Sequence, residues 1–218
     1  MSTNLTVMSN AIGPDVIGCP RVLIDKAILD ATIRFCEETH VIEKGFEHNV
    51  VTADITAADN DSVNVNIATY VTDGRPIVLT EFKIDGASYT PQELKLVNDL
   101  SDISEIAVQG VVFFNFPDTT HVKFYDIEAK DQRFYIKAVY VPLPTATTVD
   151  DDFYYRYHKA IEAGARAELM EMPNKDWSNP AMAIYYKGKY TDGVADAKTK
   201  KDKGMIKASN RVASTRWF

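Results

Sequence analysis

Two prolines, Pro173 and Pro180, cut the last third of this chain into a pattern that few folds accommodate. An amphipathic stretch from Asp150 to Met172 stops at Pro173. A short polar loop containing Trp177 leads to Pro180, and a second helical stretch then runs into lysines. Proline cannot continue a helix but is well placed at the start of one, so the spacing predicts a helical hairpin. From Gly204 to Phe218 no helical period remains, and the chain closes on Arg216, Trp217 and Phe218. A hairpin followed by an extended, sticky segment is suited to holding another protein.

The upstream partner for that hairpin is legible too. Pro20 sits where a first helical turn tolerates it, and Ile24, Ala27, Ile28, Ala31, Phe35 and Cys36 form one apolar stripe over residues 21–40. A lone amphipathic helix cannot bury such a stripe unaided, so it is expected to pack on the C-terminal pair. Residues 1–18 read as an irregular arm, with Gly13, Pro14 and Gly18 as loop chemistry.

Between the helices the period changes to two. Segments around Phe46, Asn49–Val51, Val63–Ile67, Ile77–Leu79 and Phe82–Ile84 are strand-like, and Asp85-Gly86 reads as a tight turn. Thr90, Pro91 and Glu93 resemble a helix N-terminus, which predicts a short helix ending near Leu100. A hairpin from Gly110 to Tyr125 turns at residues 117–120, and Gln132–Val141 is a further strand closed by Pro142 and Pro144. The fold class expected is α+β: a helical bundle of the N-terminal helix plus the C-terminal hairpin, an inserted antiparallel β region and an extended C-terminal tail. The units are residues 1–40, 41–149, 150–203 and 204–218.

Composition narrows the function classes. With 45% hydrophobic and 11% aromatic residues the chain can bury a core. No run of about 18 apolar residues exists to span a membrane, and no charged-then-apolar leader opens the sequence. Net charge is −7, but from Lys187 onward nine cations oppose three acids, leaving +6 there and −13 on the rest. A basic arm on an acidic body suggests an acidic partner surface, with nucleic acid or a solvated helix end as the other readings.

Chemistry is poorly supported. His40, His48, His121 and His158 never stand at i, i+4, and no Cys-x-x-Cys occurs, so no metal site is expected. Cys19 and Cys36 flank one helix about 25 Å long, beyond disulfide reach, and are expected to be free. Asp150, Asp151 and Asp152 precede an apolar-periodic stretch and are expected to cap its helix. Asp54–Asp61 lacks the Gly and Glu of a calcium loop and is expected to be a turn. No phosphate loop or nucleophile motif appears, so no catalytic residue and no cofactor are assigned. The aromatic runs at Phe153–Tyr157 and Tyr185-Tyr186 suit either core packing or a contact surface.

The segment 19–39, with Ala27 and Ala31 leading to Phe35, Cys36 and Thr39, resembles the opening helix of tailed-phage head-to-tail adaptor proteins, the connector or tail-tubular-protein-A-like family. The stretch Ala163–Pro173, followed by Trp177, Ser178, Asn179 and Pro180, is similar to that family as well; the two matches cover roughly a third of the chain. The resemblance implies a structural virion protein, not an enzyme. It would form a ring, typically about twelve copies, between the portal and the tail, with genomic DNA passing through the lumen. Tail nozzle or tail fibre proteins would be its other neighbours, and it would be made in the host cytoplasm. Lys207, Arg211, Arg216, Trp217 and Phe218 would dock on the portal. Tyr154, Tyr157, Trp177, Tyr185 and Tyr186 would lie between subunits. The competing readings are a tail-terminator or other neck subunit, a glycan-binding or hydrolytic module, and a DNA-binding basic arm.

Overall fold

The computed structural model describes residues 2–56, 61–71, 73–85, 87–89, 94–97, 112–125, 127–128 and 130–203. It is α+β, about 44% helical and 31% strand. The helices are α1 (Thr6–Ile12), α2 (Arg21–Thr39), α3 (Asp151–Glu171) and α4 (Pro180–Asp202).

The α2 stripe is buried as its spacing requires: Ile28, Ala31, Phe35 and Cys36 are fully enclosed. Two threonines also fall on the buried side. Thr32 and Thr39 satisfy their hydroxyls by donating to the carbonyls of Ile28 (2.7 Å) and Phe35 (2.6 Å) one turn back. The helix stops at His40, which adopts a left-handed φ of 53° and donates its N–H to the Cys36 carbonyl at 2.8 Å.

At the other end of the chain the loop chemistry is local. Asn179 caps α4 by accepting from the Met182 N–H at 3.2 Å, and Pro180 fills the first turn. The α3–α4 contact is built on absent side chains. A Cβ at Gly164 would stand 2.7 Å from the Tyr190 ring, and one at Gly193 would stand 2.5 Å from the Ala160 Cβ. Because Ala160 has no flexible end to yield, Gly193→Leu forces the two helices apart. We expect it to lower unfolding free energy by about 1–3 kcal/mol, read as an earlier midpoint in urea.

The acidic triplet differs from its sequence expectation. Asp150 occupies the N-cap position of α3 but makes no side-chain capping bond. It pairs instead with Lys44 at 3.0 Å, while Asp151 accepts the Thr3 hydroxyl at 2.6 Å and Asp152 pairs with Arg156 one turn on. Tertiary partners outcompete the local N–H groups, although Asp151 and Asp152 still place negative charge in the first turn.

The N-terminal segment is not an irregular arm. Strand β1 (Ser2–Asn4) pairs antiparallel with β11 (Thr148–Asp150), and α1 follows. Met8 and Ile12 are fully buried in the helical core, with Leu5 and Val16 beside them. Seven residues cannot sustain a helix alone; contact with α2 and α3 holds this one.

The β region is two sheets, face to face. One has the order β2 (Glu43–Val50), β10 (Gln132–Pro142), β5 (Gly74–Ile84), β6 (Ala87–Tyr89). The other runs β3 (Ile55–Thr56), β4 (Ser62–Asn66), β9 (His121–Tyr125), β8 (Val112–Asn115), β7 (Leu94–Leu96). Phe82 of the first sheet stacks on Phe124 of the second at 4.4 Å, and Phe134 meets both edge-on. One apolar cluster spans both inner faces. Two strand-like runs foreseen as separate, Ile77–Leu79 and Phe82–Ile84, are one strand, β5.

Two further expectations are corrected here. Residues 94–96 form β7, not part of a helix from Thr90 to Leu100, and the rest of that proposed helix lies outside the described residues apart from Val97. β7 pairs parallel with β8, so the region is not wholly antiparallel. The helical and β parts meet at Val141, which belongs to the helical core, and through Arg75 on Glu37 at 2.8 Å.

Candidate partner interface

The aromatic residues named from sequence divide by the rotation of their helices. Phe35 lies at the centre, with Phe153 at 6.2 Å, Tyr157 at 5.2 Å and Tyr190 at 6.2 Å between ring centroids. Tyr154, Tyr157, Trp177 and Tyr186 are partly buried against this core, so most of their area is already spent inside the chain. Tyr185 is half exposed, with the Lys189 ammonium 5.6 Å from its ring centre. The Trp177 indole nitrogen is buried with no hydrogen-bond partner among the described residues. Lys207, Arg211, Arg216, Trp217 and Phe218 lie outside the described residues.

Except for Tyr155, which lies in the aromatic run Phe153–Tyr157, the outward surface is carried by residues that the sequence did not single out. The four most exposed large apolar side chains among the described residues are Ile17 (80%), Val22 (77%), Ile184 (75%) and Tyr155 (73%). All four belong to the helical part or its lead-in, and Tyr185 adjoins Ile184. A signal was available: Val22 lies off the α2 stripe, and Ile184 lies off the narrow stripe Ala183, Tyr190, Val194 and Ala197 that buries α4. Apolar residues off the core-facing stripe are the ones a helix offers to a neighbour.

Polar groups that could do chemistry are occupied structurally. Asp118 accepts from the Thr120 hydroxyl and N–H (2.7 and 2.6 Å) and faces His121 Nδ1 at 2.8 Å. Desolvation raises its pKa, but the Thr120 and His121 hydrogen bonds and the His121 charge together outweigh it and hold it at about 2. His158 Nδ1 lies 3.0 Å from the Tyr154 carbonyl oxygen, and His48 lies beside Tyr70. Cys19 and Cys36 are free; burial, and then the Glu37 charge, push the Cys36 thiol far above its ordinary range, so it is an inert apolar residue. Among the described residues no cluster of three or more His, Cys, Asp or Glu could hold a metal ion, and no helix is long and apolar enough to cross a membrane.

A cleft of about 860 Å³ opens on the sheet carrying β2, β5 and β10. Two of its carboxylates hold the backbone, Asp131 accepting from the Thr52 N–H and hydroxyl and Asp85 from the Arg133 N–H, while Glu47 faces the Arg133 guanidinium at 3.8 Å. Lys83 pairs with Glu81 and lies 5.1 Å from the Tyr135 ring centre. Among its described lining residues none pairs a nucleophile with a base. A second groove, about 670 Å³, runs between α2, α3 and α4.

No protein-family model matches the chain, and no curated protein matches it either.

Proposed function

We propose that this chain is a structural subunit of a tailed virion's neck, a head-to-tail adaptor that forms a ring between portal and tail. The observation that carries the proposal is the helical surface. Ile17, Val22, Ile184 and Tyr155, all on the helical part or its lead-in, are largely exposed to solvent. Their apolar area on the helical part is what a protein–protein contact would cover. A ring covers them through heterologous contacts, each copy offering one patch to a different patch on the next. Tyr185 joins that contact; Tyr154, Tyr157, Trp177 and Tyr186 shape it from within by fixing the helices. The resemblance of segments 19–39 and 163–180 to such adaptors supports the same reading.

The basic segment with Lys207, Arg211, Arg216, Trp217 and Phe218 then docks on an acidic portal surface, and many copies add through multivalency. DNA passes through a lumen, and the protein resides in the virion after synthesis in the host cytoplasm. A tail-terminator subunit is the second reading; those are dominated by β structure, and a helical fraction above a third disfavours it.

Native mass spectrometry of the protein alone and mixed with its portal tests this. The full chain is expected to be a monomer alone and to join the portal in a fixed multiple. Deleting residues 204–218 is expected to leave the helical signal intact and abolish that complex. Unchanged portal binding by the truncated chain defeats the docking role, and a monomer under both conditions defeats the adaptor reading.

A further inference from the structure

The groove between α2, α3 and α4 has an apolar floor and an acidic rim. Gly164 and Ala167 of α3, Ile33 of α2 and the buried Tyr190 ring make the floor. Asp30, Glu37, Glu38, Glu168 and Glu171 make the rim, against two cations, Arg34 and Lys187, among the described lining residues. Three of the five acids are engaged within the chain: Glu168 with Arg34 at 2.6 Å, Glu37 with Arg75 at 2.8 Å, and Glu38 with the Tyr190 hydroxyl at 3.2 Å. Asp30 and Glu171 have no cationic partner among the described residues.

We infer that residues 204–218 lie back in this groove of their own chain before the protein meets its partner, so that the docking segment is held until it is needed. The occupant matches the groove in charge and in character. Residues 204–218 contain Lys207, Arg211 and Arg216 and no acid, together with Met205, Ile206, Val212, Trp217 and Phe218. Cations meet the unpaired carboxylates, and an apolar side chain meets the floor beside Ile33, Ala167 and the Tyr190 ring. The reach is sufficient. From the end of α4 at Asp202 back to its groove residues Thr191 and Lys187 is roughly 17–23 Å at about 1.5 Å per helical residue. Fifteen extended residues span up to about 50 Å. A tethered segment competes at an effective concentration near millimolar, so a weak contact suffices to hold it against free copies.

The inference rests on the adaptor reading for its purpose, whereas the contact can be measured with no portal present. Hydrogen–deuterium exchange on the full-length chain at about 50 mM salt should show amides of 204–218 exchanging about tenfold slower than an unprotected chain. At about 1 M salt, where screening falls to about 3 Å, that protection should vanish. It should also vanish in Asp30→Lys/Glu171→Lys, with exchange in α3 and α4 unchanged. Asp30→Asn/Glu171→Gln should show an intermediate effect and serves if the charge reversal disturbs folding. Unprotected amides in the wild type at low salt overturn the inference. So does protection that survives in a folded variant, or protection that grows over a hundredfold rise in protein concentration. Because these outcomes involve no portal, they separate failure of the groove contact from failure of the adaptor role.

Discussion

Phe35→Ala is expected to lower the free energy of unfolding by about 3–5 kcal/mol, the range for deleting a fully buried aromatic ring. Phe35 is completely enclosed and touches rings from both other long helices, Phe153 and Tyr157 on α3 and Tyr190 on α4. Removing it deletes apolar area and leaves a cavity that these neighbours can fill only by moving. They are poorly placed to do so. The hydroxyl of Tyr190 is committed to Glu38 at 3.2 Å, and its ring lies over Gly164 with no room for a Cβ there. The measurement is urea unfolding followed by helical circular dichroism, with Tyr185→Ala as the comparison. Tyr185 is 53% exposed, so its truncation should cost well under half as much. Equal losses from the two substitutions would mean that the three helices do not share one core.

How much of this was legible depends on whether the deciding contacts are local. Helix α2 could be read because Pro20 opens it and the apolar stripe runs unbroken to Cys36. The α3–α4 hairpin could be read because Pro173, Asn179 and Pro180 act within a few residues of where they stand. β10 showed itself by alternation, Phe134, Ile136 and Ala138 all turning inward. The misses share a cause. β7 was hidden under a helix-start pattern because its strand is made by parallel pairing with β8, about twenty residues away. Asp150 was expected to cap its own helix because Lys44 is distant in sequence and adjacent in space. The aromatic runs on α3 and α4 could not be sorted into core and surface, since a run such as Phe153–Tyr157 covers every side of a helix. Only packing against Phe35 selects Phe153 and Tyr157 and leaves Tyr155 outside. Leu5, Met8, Ile12 and Val16 carry helical spacing, but the run is so short that Gly13 and Pro14 outweighed it.

That N-terminal segment yields the other large expected effect. Arg166 on α3 is 13% exposed and uses its whole guanidinium fork: Nε to Asp15 at 2.7 Å, Nη1 to Glu162 at 3.2 Å, and Nη2 to the Ala11 carbonyl at 2.7 Å. Its guanidinium carbon also sits 5.5 Å from the Tyr186 ring centre. One side chain thus ties α1 and the turn after it to α3 and α4. Arg166→Ala strands the Glu162 carboxylate, itself only 13% exposed, and leaves the Ala11 carbonyl without this donor. Breaking a buried pair from one side costs about 3–5 kcal/mol; Asp15 is 40% exposed and partly screened, which brings the expectation to about 2–3 kcal/mol. Arg166→Lys keeps the charge but cannot fork, so it should recover less than half of the loss. The signature is regional as well as global. Amide exchange in residues 6–15 should accelerate far more than in α2, because the seven residues of α1 have no helical stability of their own. Met8 and Ile12 still anchor the segment through the core, and Ser9 still donates to the Asp25 carboxylate. Loss of the tie therefore opens the segment more often without unfolding the three long helices. Uniform acceleration across α1 and α2 would instead make Arg166 a support of the whole core, and no change in α1 would mean that burial of Met8 and Ile12 holds it alone.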